Sequence, residues 1–337
     1  MNASDPRVGD LSEGAILRRI LDGLGASRAE VGPGDDAAVL ATPDGRVVAT
    51  VDTLVHGPDF RLAWSSAFDL GWKAAAVNLA DIAAMGARPT ALLVALAMPD
   101  ETRLAFVEGL AAGLRTACDE LAPGCAVEGG DLTVSDTLTI AVTALGVLDG
   151  RAPVLRSGAR SGDVVAIAGT LGRAARGLGI LFGRFTDAAG TPIPLDESVL
   201  DPDERGDLAV QLRPSPPVAL GPAAATAGAT AMMDVSDGLV LDASRLAAAS
   251  GVTVLIDTAS LGADPAVALS GGEDHALLAT FPSGTALPDG FRRVGEVVPR
   301  GEHAVLVDGH PHDGTAGSIG GATGGWDPYR DWDSGRG

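Results

Sequence analysis

Short apolar runs that read as strands alternate with segments of helical period along most of this chain, and the alternation is laid down twice. In the first half, "GAILRRILDGL" (14–24) spaces Ile16, Leu17, Ile20, Leu21 and Leu24 as one helical face. The segment "DDAAVLATPDGRVVATVDTLV" predicts two strands about a turn at Pro43, Asp44 and Gly45. Residues 66–85 read as a helix with Ser66 as N-cap and Gly86 just past its end. "TALLVALAMP" follows as a buried strand, 101–118 as a helix, and "CAVEGGD" with "TLTIAVTALGVL" as a further strand pair. After a polar junction around residues 148–162 the style repeats: a strand at 163–168, helices to about 230, the strand "AMMDV", a helix at 237–249, the strand "VTVLID", and strands near 275–281 and 291–307. This pattern predicts an α/β (α+β) chain in two halves, 1–150 and 151–330. The glycine-rich stretch 314–325 is expected to be flexible, and residues 331–337 form a tail.

Composition removes several classes of function. With 46% hydrophobic residues over 337 positions the chain can bury about two cores. No apolar run approaches the roughly 18 residues that cross a bilayer. The start "MNASDPRVGDLSEG" lacks the basic and apolar regions of a signal peptide, so no membrane association is expected and the cytoplasm is the expected compartment. Two cysteines, Cys118 and Cys125, are too few for a disulfide framework and read as reduced structural thiols. A formal charge of -20 argues against nucleic acid, whose binding rests on Lys and Arg. Lys73 is the only lysine in the chain.

Within this acidic chain, the carboxylates of interest stand at the ends of predicted elements. If the hairpin pairs about Asp44, Asp36 faces Asp52, and like charges directly opposite one another are destabilising unless a cation lies between them. Two solvated acids at a strand end account for that pair equally well. Asp81 falls in the last turn of its helix, where the dipole disfavours an anion by up to about 1 kcal/mol. Asp131 follows two glycines in "EGGD", and glycine lets a backbone approach a ligand closely. Asp234 and Asp237 bracket Ser236 at a strand-to-helix junction, which is equally a helix-capping pattern. Glu273 and Asp274 follow a Gly-Gly pair and precede a strand.

Carboxylates at glycine-flanked turns suit a hard cation. Magnesium takes oxygen ligands and bridges one or two carboxylates to substrate phosphates, and an acidic pocket repels a polyphosphate until metal intervenes. There is no Gly-Lys-Ser/Thr triplet and no kinase catalytic loop. "GPGDDA" superficially matches a dinucleotide fingerprint, but it leads into a strand and puts acids where a pyrophosphate would lie. No serine, cysteine or histidine arrangement of a covalent nucleophile is evident.

The ordered segments "GPGDDAAV", "VDTLVHGPDF", "KAAAVNLADIAAMGA", "GGDLTVSDTLTIAVTALG", "LRSGARSGD", "DVSDGL", "GGEDHAL" and "GGWDPY" resemble the motif set of the thiamine-monophosphate kinase family, within the aminoimidazole ribonucleotide synthetase-like superfamily. The resemblance spans about residues 30–330. It implies ATP-dependent phosphorylation of thiamine phosphate, two α/β domains, and a homodimer whose N-terminal strands close a barrel between subunits. Of the superfamily's other branches, selenophosphate synthetase wants a cysteine near the N-terminal acidic loop and a hydrogenase-maturation relative wants one at the C-terminus, where this chain reads "DSGRG".

Carried over by position, the resemblance implies that Asp36, Asp52, Asp81, Asp131 and Asp234 hold magnesium ions and that Asp237 binds a further one. Thr50 supplies a hydroxyl and Val51, lacking a side-chain oxygen, only its carbonyl. Gly130, Asp131, Arg156 and Ser236 contact ATP, Arg156 with the charge-assisted donors that phosphate binding needs. Glu273 and Trp326 hold thiamine phosphate, the indole offering a π-face to a cationic heterocycle. One position departs from the pattern: Asp59 stands before Phe60 where similar enzymes carry a substrate-binding histidine, and His56, three residues earlier, is the candidate substitute.

Overall fold

A computed structural model of the chain describes residues 5–30 and 40–312. The first sheet takes β1 (Val48–Val55), β2 (Arg88–Met98), β3 (Ala126–Val134) and β4 (Thr139–Val147) in the order β1-β4-β2-β3. The turn at residues 43–45 forms, Gly45 N–H donating to Thr42 O at 3.0 Å. The expected facing of Asp36 and Asp52 lies outside the described residues. Among those described, β1 is laddered to β4, with Asp52 beside Val142. The pairing expected between β3 and β4 is not made. β2 lies between them, parallel to β3 and antiparallel to β4. The helix that joins β2 to β3, α3 (Leu104–Leu121), is the crossover that a parallel pair requires, and it leaves the other edge of β2 for β4.

Helices α1 (Glu13–Leu24), α2 (Ala67–Ala84) and α3 match the expected segments closely. A capping box opens α2: Ser66 Oγ accepts the Asp69 N–H while the Asp69 carboxylate accepts the Ser66 N–H. Along its length Ala74, Ala75, Ala76, Leu79, Ala80, Ile82 and Ala83 are each at most 1% exposed. Such a helix, apolar on most of its circumference, belongs in the interior. It packs against α3 and the first sheet on one side and reaches the second half on the other. There Trp72 Nε1 donates to Pro214 O at 2.7 Å, and Arg213 pairs with Asp69 at 3.3 Å.

The second half is built on β5 (Val164–Ala168), β6 (Ala231–Val235), β7 (Val252–Ile256), β8 (Ala276–Phe281), β9 (Phe291–Pro299), β10 (Val305–Val307) and β11 (His310–Pro311), ordered β11-β10-β7-β9-β5-β8-β6. Its helices are α4 (Arg173–Arg184), α5 (Pro202–Leu212), α6 (Leu220–Thr226), α7 (Leu239–Ser250) and α8 (Pro265–Ser270). The short α8 carries no helical periodicity in the sequence and is opened by Asp264, which caps it ahead of Pro265. Among the described residues no helix is long and apolar enough to cross a membrane. The edge strand β6 abuts α2.

Candidate active site

On β1 the pleat turns Thr50 and Asp52 toward α2 and Val51 to the opposite face, where it is 60% exposed. On α2, Asn78 and Asp81 are three residues apart and so share a face. The two elements then interlock: Thr50 Oγ1 donates to Asp81 Oδ2 at 2.7 Å, and the Asp52 N–H donates to Asn78 Oδ1 at 3.1 Å. Two of the expected metal ligands, with the expected hydroxyl, are thereby fixed side by side.

The second half contributes the end of β6 and the loop before β8. Asp234 is 5% exposed, and His275 Nδ1 lies 3.2 Å from its Oδ2. The Glu273 N–H donates to Ser236 O at 2.8 Å and the His275 N–H to Val235 O at 3.1 Å, so the loop is stitched to the strand end. A Cβ on Gly272 would come within 2.3 Å of Ser236 O, so only glycine permits that approach. Glu273 and His275 both adopt positive φ, 69° and 52°. The three side chains Glu273, Asp274 and His275 therefore leave the backbone toward different partners. Lys73 Nζ, from α2, lies 2.9 Å from Glu273 Oε2. Asp274 accepts from Thr170 Oγ1 at 2.7 Å and from the Arg173 and Ala174 N–H groups, which makes it a clamp on the start of α4.

Lost hydration, with the negative charges of Asp234 and Glu273, raises the Asp52 pKa, against the opposing effect of His275. Asp81 is pushed up to about 7 by burial, then by Asp234 and Asp52, despite the Thr50 hydroxyl. Burial disfavours a charged His275, but Asp234 and then Glu273 outweigh it and raise its pKa. Enclosure opposes ionisation of Glu273 too, yet Lys73 and His275 hold its carboxyl below the usual range. Asp52 and Asp81 thus resist ionising, in part because of the neighbouring Asp234 charge, and a divalent cation is the species that removes that resistance. Among the described residues no three of His, Cys, Asp or Glu close on one point to hold an ion unaided.

Other expected site residues are placed as follows. Asp237 does not cap α7, whose N-cap is Gly238; Arg245 spans it and the buried Asp242, at 2.5 and 2.7 Å. Ser236 does not cap it either, and its carbonyl holds the Glu273 loop. Arg156 is exposed, with its carbonyl accepting from Ser250 Oγ at the end of α7. Gly130 does make a close approach, but to the neighbouring strand: a Cβ there would lie 2.1 Å from Val94 O. Asp131 stands on β3, separated from β1 by β4 and β2, in line with Ala95, Ala141 and Thr53 and hence on the face opposite Asp52. Asp59 turns back on its own loop, its Oδ2 accepting the Val55 N–H at 2.7 Å. His56 stacks near Phe60, with ring centroids 5.6 Å apart. Asp36 and Trp326 lie outside the described residues.

Lys73, Asn78 and His275 were missed as members of the site. Each was visible as a residue, but the partner that gives it meaning lies on another element, 200 positions away for Lys73.

A family model described as "AIR synthase related protein, N-terminal domain" matches residues 34–148. The chain is 42% identical to the thiamine-monophosphate kinase of Mycobacterium tuberculosis, covering 93% of this chain and 92% of that one. It is also 42% identical to the thiamine-monophosphate kinase of Corynebacterium glutamicum, with coverage of 90% and 91%. Among solved structures, thiamine-monophosphate kinase from Stenotrophomonas maltophilia superposes with a TM-score of 0.75 at 34% identity, covering 90% of this chain and 98% of that one. A structure described as AaThiL complexed with AMPPCP and TMP superposes with a TM-score of 0.70 at 30% identity, with coverage of 91% and 96%.

Proposed function

Because the chain belongs to the thiamine-monophosphate kinase family, we propose that it transfers the γ-phosphoryl group of ATP to thiamine phosphate, giving thiamine diphosphate and ADP. The observation that carries this reading is that β1, α2 and β6 present Asp52, Asp81 and Asp234 to one seam, where Thr50 is bonded to Asp81 and the Asp234 charge opposes ionisation of Asp52 and Asp81. The relative complexed with AMPPCP and TMP supports a nucleotide and a phosphorylated acceptor as the ligands.

Asp52, Asp81 and Asp234, with the Thr50 hydroxyl, offer the hard oxygen donors that magnesium takes, and Asp36, Asp131 and Asp237 are assigned to further ions. Bound there, magnesium supplies neutralisation of the phosphate charge. The residues of the chain bind and orient. Gly130, Asp131, Arg156 and Ser236 are assigned to the nucleotide, and Glu273, Asp59 and Trp326 to the acceptor. An oxygen of the acceptor phosphate attacks the γ-phosphorus as the bond to the β,γ-bridging oxygen breaks, with no side chain carrying the phosphoryl group between.

We assign nucleotide and metal binding and dimerisation to residues 1–150 and an α/β domain to 151–330. The break between Val147 and Val164, where one sheet ends and the next begins, supports the division. A homodimer is supported by the outer face of the first sheet, where Val51 is 60% exposed on the edge strand β1 and shares its face with Thr53, Ala95 and Asp131. Within one chain Asp131 is turned away from Asp52, on the face that a second copy would cover. The free thiols of Cys118 and Cys125 accord with a cytoplasmic enzyme.

The test is ADP release and product identification with thiamine phosphate, thiamine and an aminoimidazole ribonucleotide precursor as competing acceptors. ADP formed only with thiamine phosphate, together with thiamine diphosphate, is the expected result. Turnover with another acceptor, or none, refutes the assignment.

A further inference from the structure

The chain carries 24 Lys and Arg residues, and Lys73 is the one lysine among them. It is also the buried one at the site, with a side chain only 7% exposed on the interior helix α2. Its Nζ is 2.9 Å from Glu273 Oε2. With its amide oriented so that both ends are satisfied, Gln211 of α5 accepts a second Nζ–H at 3.2 Å while donating to Ala174 O at 3.0 Å. The ammonium thus joins three elements: α2, α5 and the loop that carries Glu273. Glu273 itself is 44% exposed, so its carboxylate is held by Lys73 while part of the side chain stays accessible.

We propose that Lys73 is a positioning residue that holds Glu273 toward the acceptor and so sets the affinity for thiamine phosphate. The proposal rests on the reading of Glu273 as an acceptor-binding residue. Its physical basis is local. Glu273 stands in a left-handed backbone conformation on a loop wedged against Ser236, so its side-chain direction is given by what grips the far end. That grip comes from a buried cation on a rigid helix. Without it the carboxylate would face Asp52 and Asp59, whose charges oppose its own, with no lysine to offset them. A compact ammonium with tetrahedral donors reaches acceptors on two elements at once, whereas a planar guanidinium directs its N–H groups along a fixed fork. That distinction accounts for a lysine at this position in a chain that uses arginine for every other basic side chain.

The experiment is steady-state kinetics with both substrates varied, on the full chain, for wild type, Lys73→Met, Lys73→Arg and Glu273→Gln, and for the double variant Lys73→Met/Glu273→Gln. Lys73→Met should raise KM for thiamine phosphate about ten-fold or more, the factor carried by one charge-assisted hydrogen bond. The KM for ATP should stay within about two-fold, because the lysine acts through an acceptor residue. The double variant should be no worse than the weaker single, since both changes break one link. A purely structural lysine would lower thermal stability and disturb both substrates alike. Parallel rises in both KM values, independent factors in the double variant, or an unchanged acceptor KM would each overturn the proposal. Should Lys73→Met yield no folded protein, Lys73→Arg decides the same question, because it keeps the charge and loses the geometry; an unchanged acceptor KM there is equally fatal. A wild type that is inactive with thiamine phosphate removes the acceptor reading and this proposal with it. An active wild type with insensitive variants removes the proposal alone.

Discussion

Asp81→Asn in metal-free protein should stabilise the fold, and more so as pH rises. Burial, then Asp234 and Asp52, move the Asp81 pKa from 3.8 to about 7 in the folded chain. Below pH 3.8 the carboxyl is protonated in both folded and unfolded chains and contributes nothing. Between the two values the unfolded chain ionises while the folded one keeps its proton, so stability falls with rising pH by about 1.4 kcal/mol per unit. The loss reaches ~4 kcal/mol near pH 7 and is constant above. Asparagine does not titrate, and it keeps an oxygen to accept the Thr50 hydroxyl. The variant should therefore gain up to ~4 kcal/mol at pH 8 but only about 1.6 kcal/mol at pH 5. At about 2.1 cal/mol/K per residue over the 337-residue chain, the larger gain is a rise of about 6 °C in Tm. Urea and thermal unfolding in chelator at the two pH values measure it. A variant less stable than wild type at pH 8, or a gain that does not grow with pH, would refute the account of a strained carboxylate. The same variant should lose turnover by orders of magnitude, because the group that strains the empty fold is the one assigned to metal.

Calorimetry should find ATP binding with magnesium and almost none in chelator; equal affinity in both would remove the metal bridge between acids and phosphate. Asp274→Ala should lower stability by about 1–2 kcal/mol with or without metal, since it uncaps α4, and urea melts showing no change would contradict that role. Asp59→Asn keeps an acceptor for the Val55 N–H while removing an anion that raises the charge density near Glu273. It should lower KM for thiamine phosphate with kcat little changed, and a higher KM would show that the Asp59 charge assists binding. A chiral γ-phosphoryl group should emerge inverted, whereas retention would require a covalent carrier that the site residues do not supply.

The parts of this fold legible in the sequence are those written locally. Ser66 and Gly86 bound α2 within a residue or two, because a cap and a stop act on their own helix. Strand partners are not local. "CAVEGGD" and "TLTIAVTALGVL" follow one another in the chain and read as a pair, yet β2 separates them, because a strand edge is indifferent to distance along the chain. The same holds in the site. Asp52, Asp81 and Asp234 could be suspected one by one, as acids set against local preference, but their mutual effect exists only once β1, α2 and β6 are packed. Ser236 and Asp237 mislead in the opposite sense: they carry the residue types of a helix cap and do not cap. Asp274 adjoins Glu273 in the sequence and clamps α4 instead, because one residue along an irregular backbone is enough to reverse a side chain's direction.

The loop Gly271–His275 is, in engineering terms, indexed. Successive residues address Lys73, the start of α4 and the Asp234 carboxylate, and there is no spare position among them. Inserting or deleting a single residue here would hand each task to a side chain of the wrong kind: the helix clamp would land on the acceptor side, or the imidazole on the clamp. Substitutions can be absorbed one task at a time, but a change of length cannot. Libraries that seek a new acceptor should hold this segment at constant length and vary the surfaces around it, and a screen of random indels should return α4 and both substrate functions lost together.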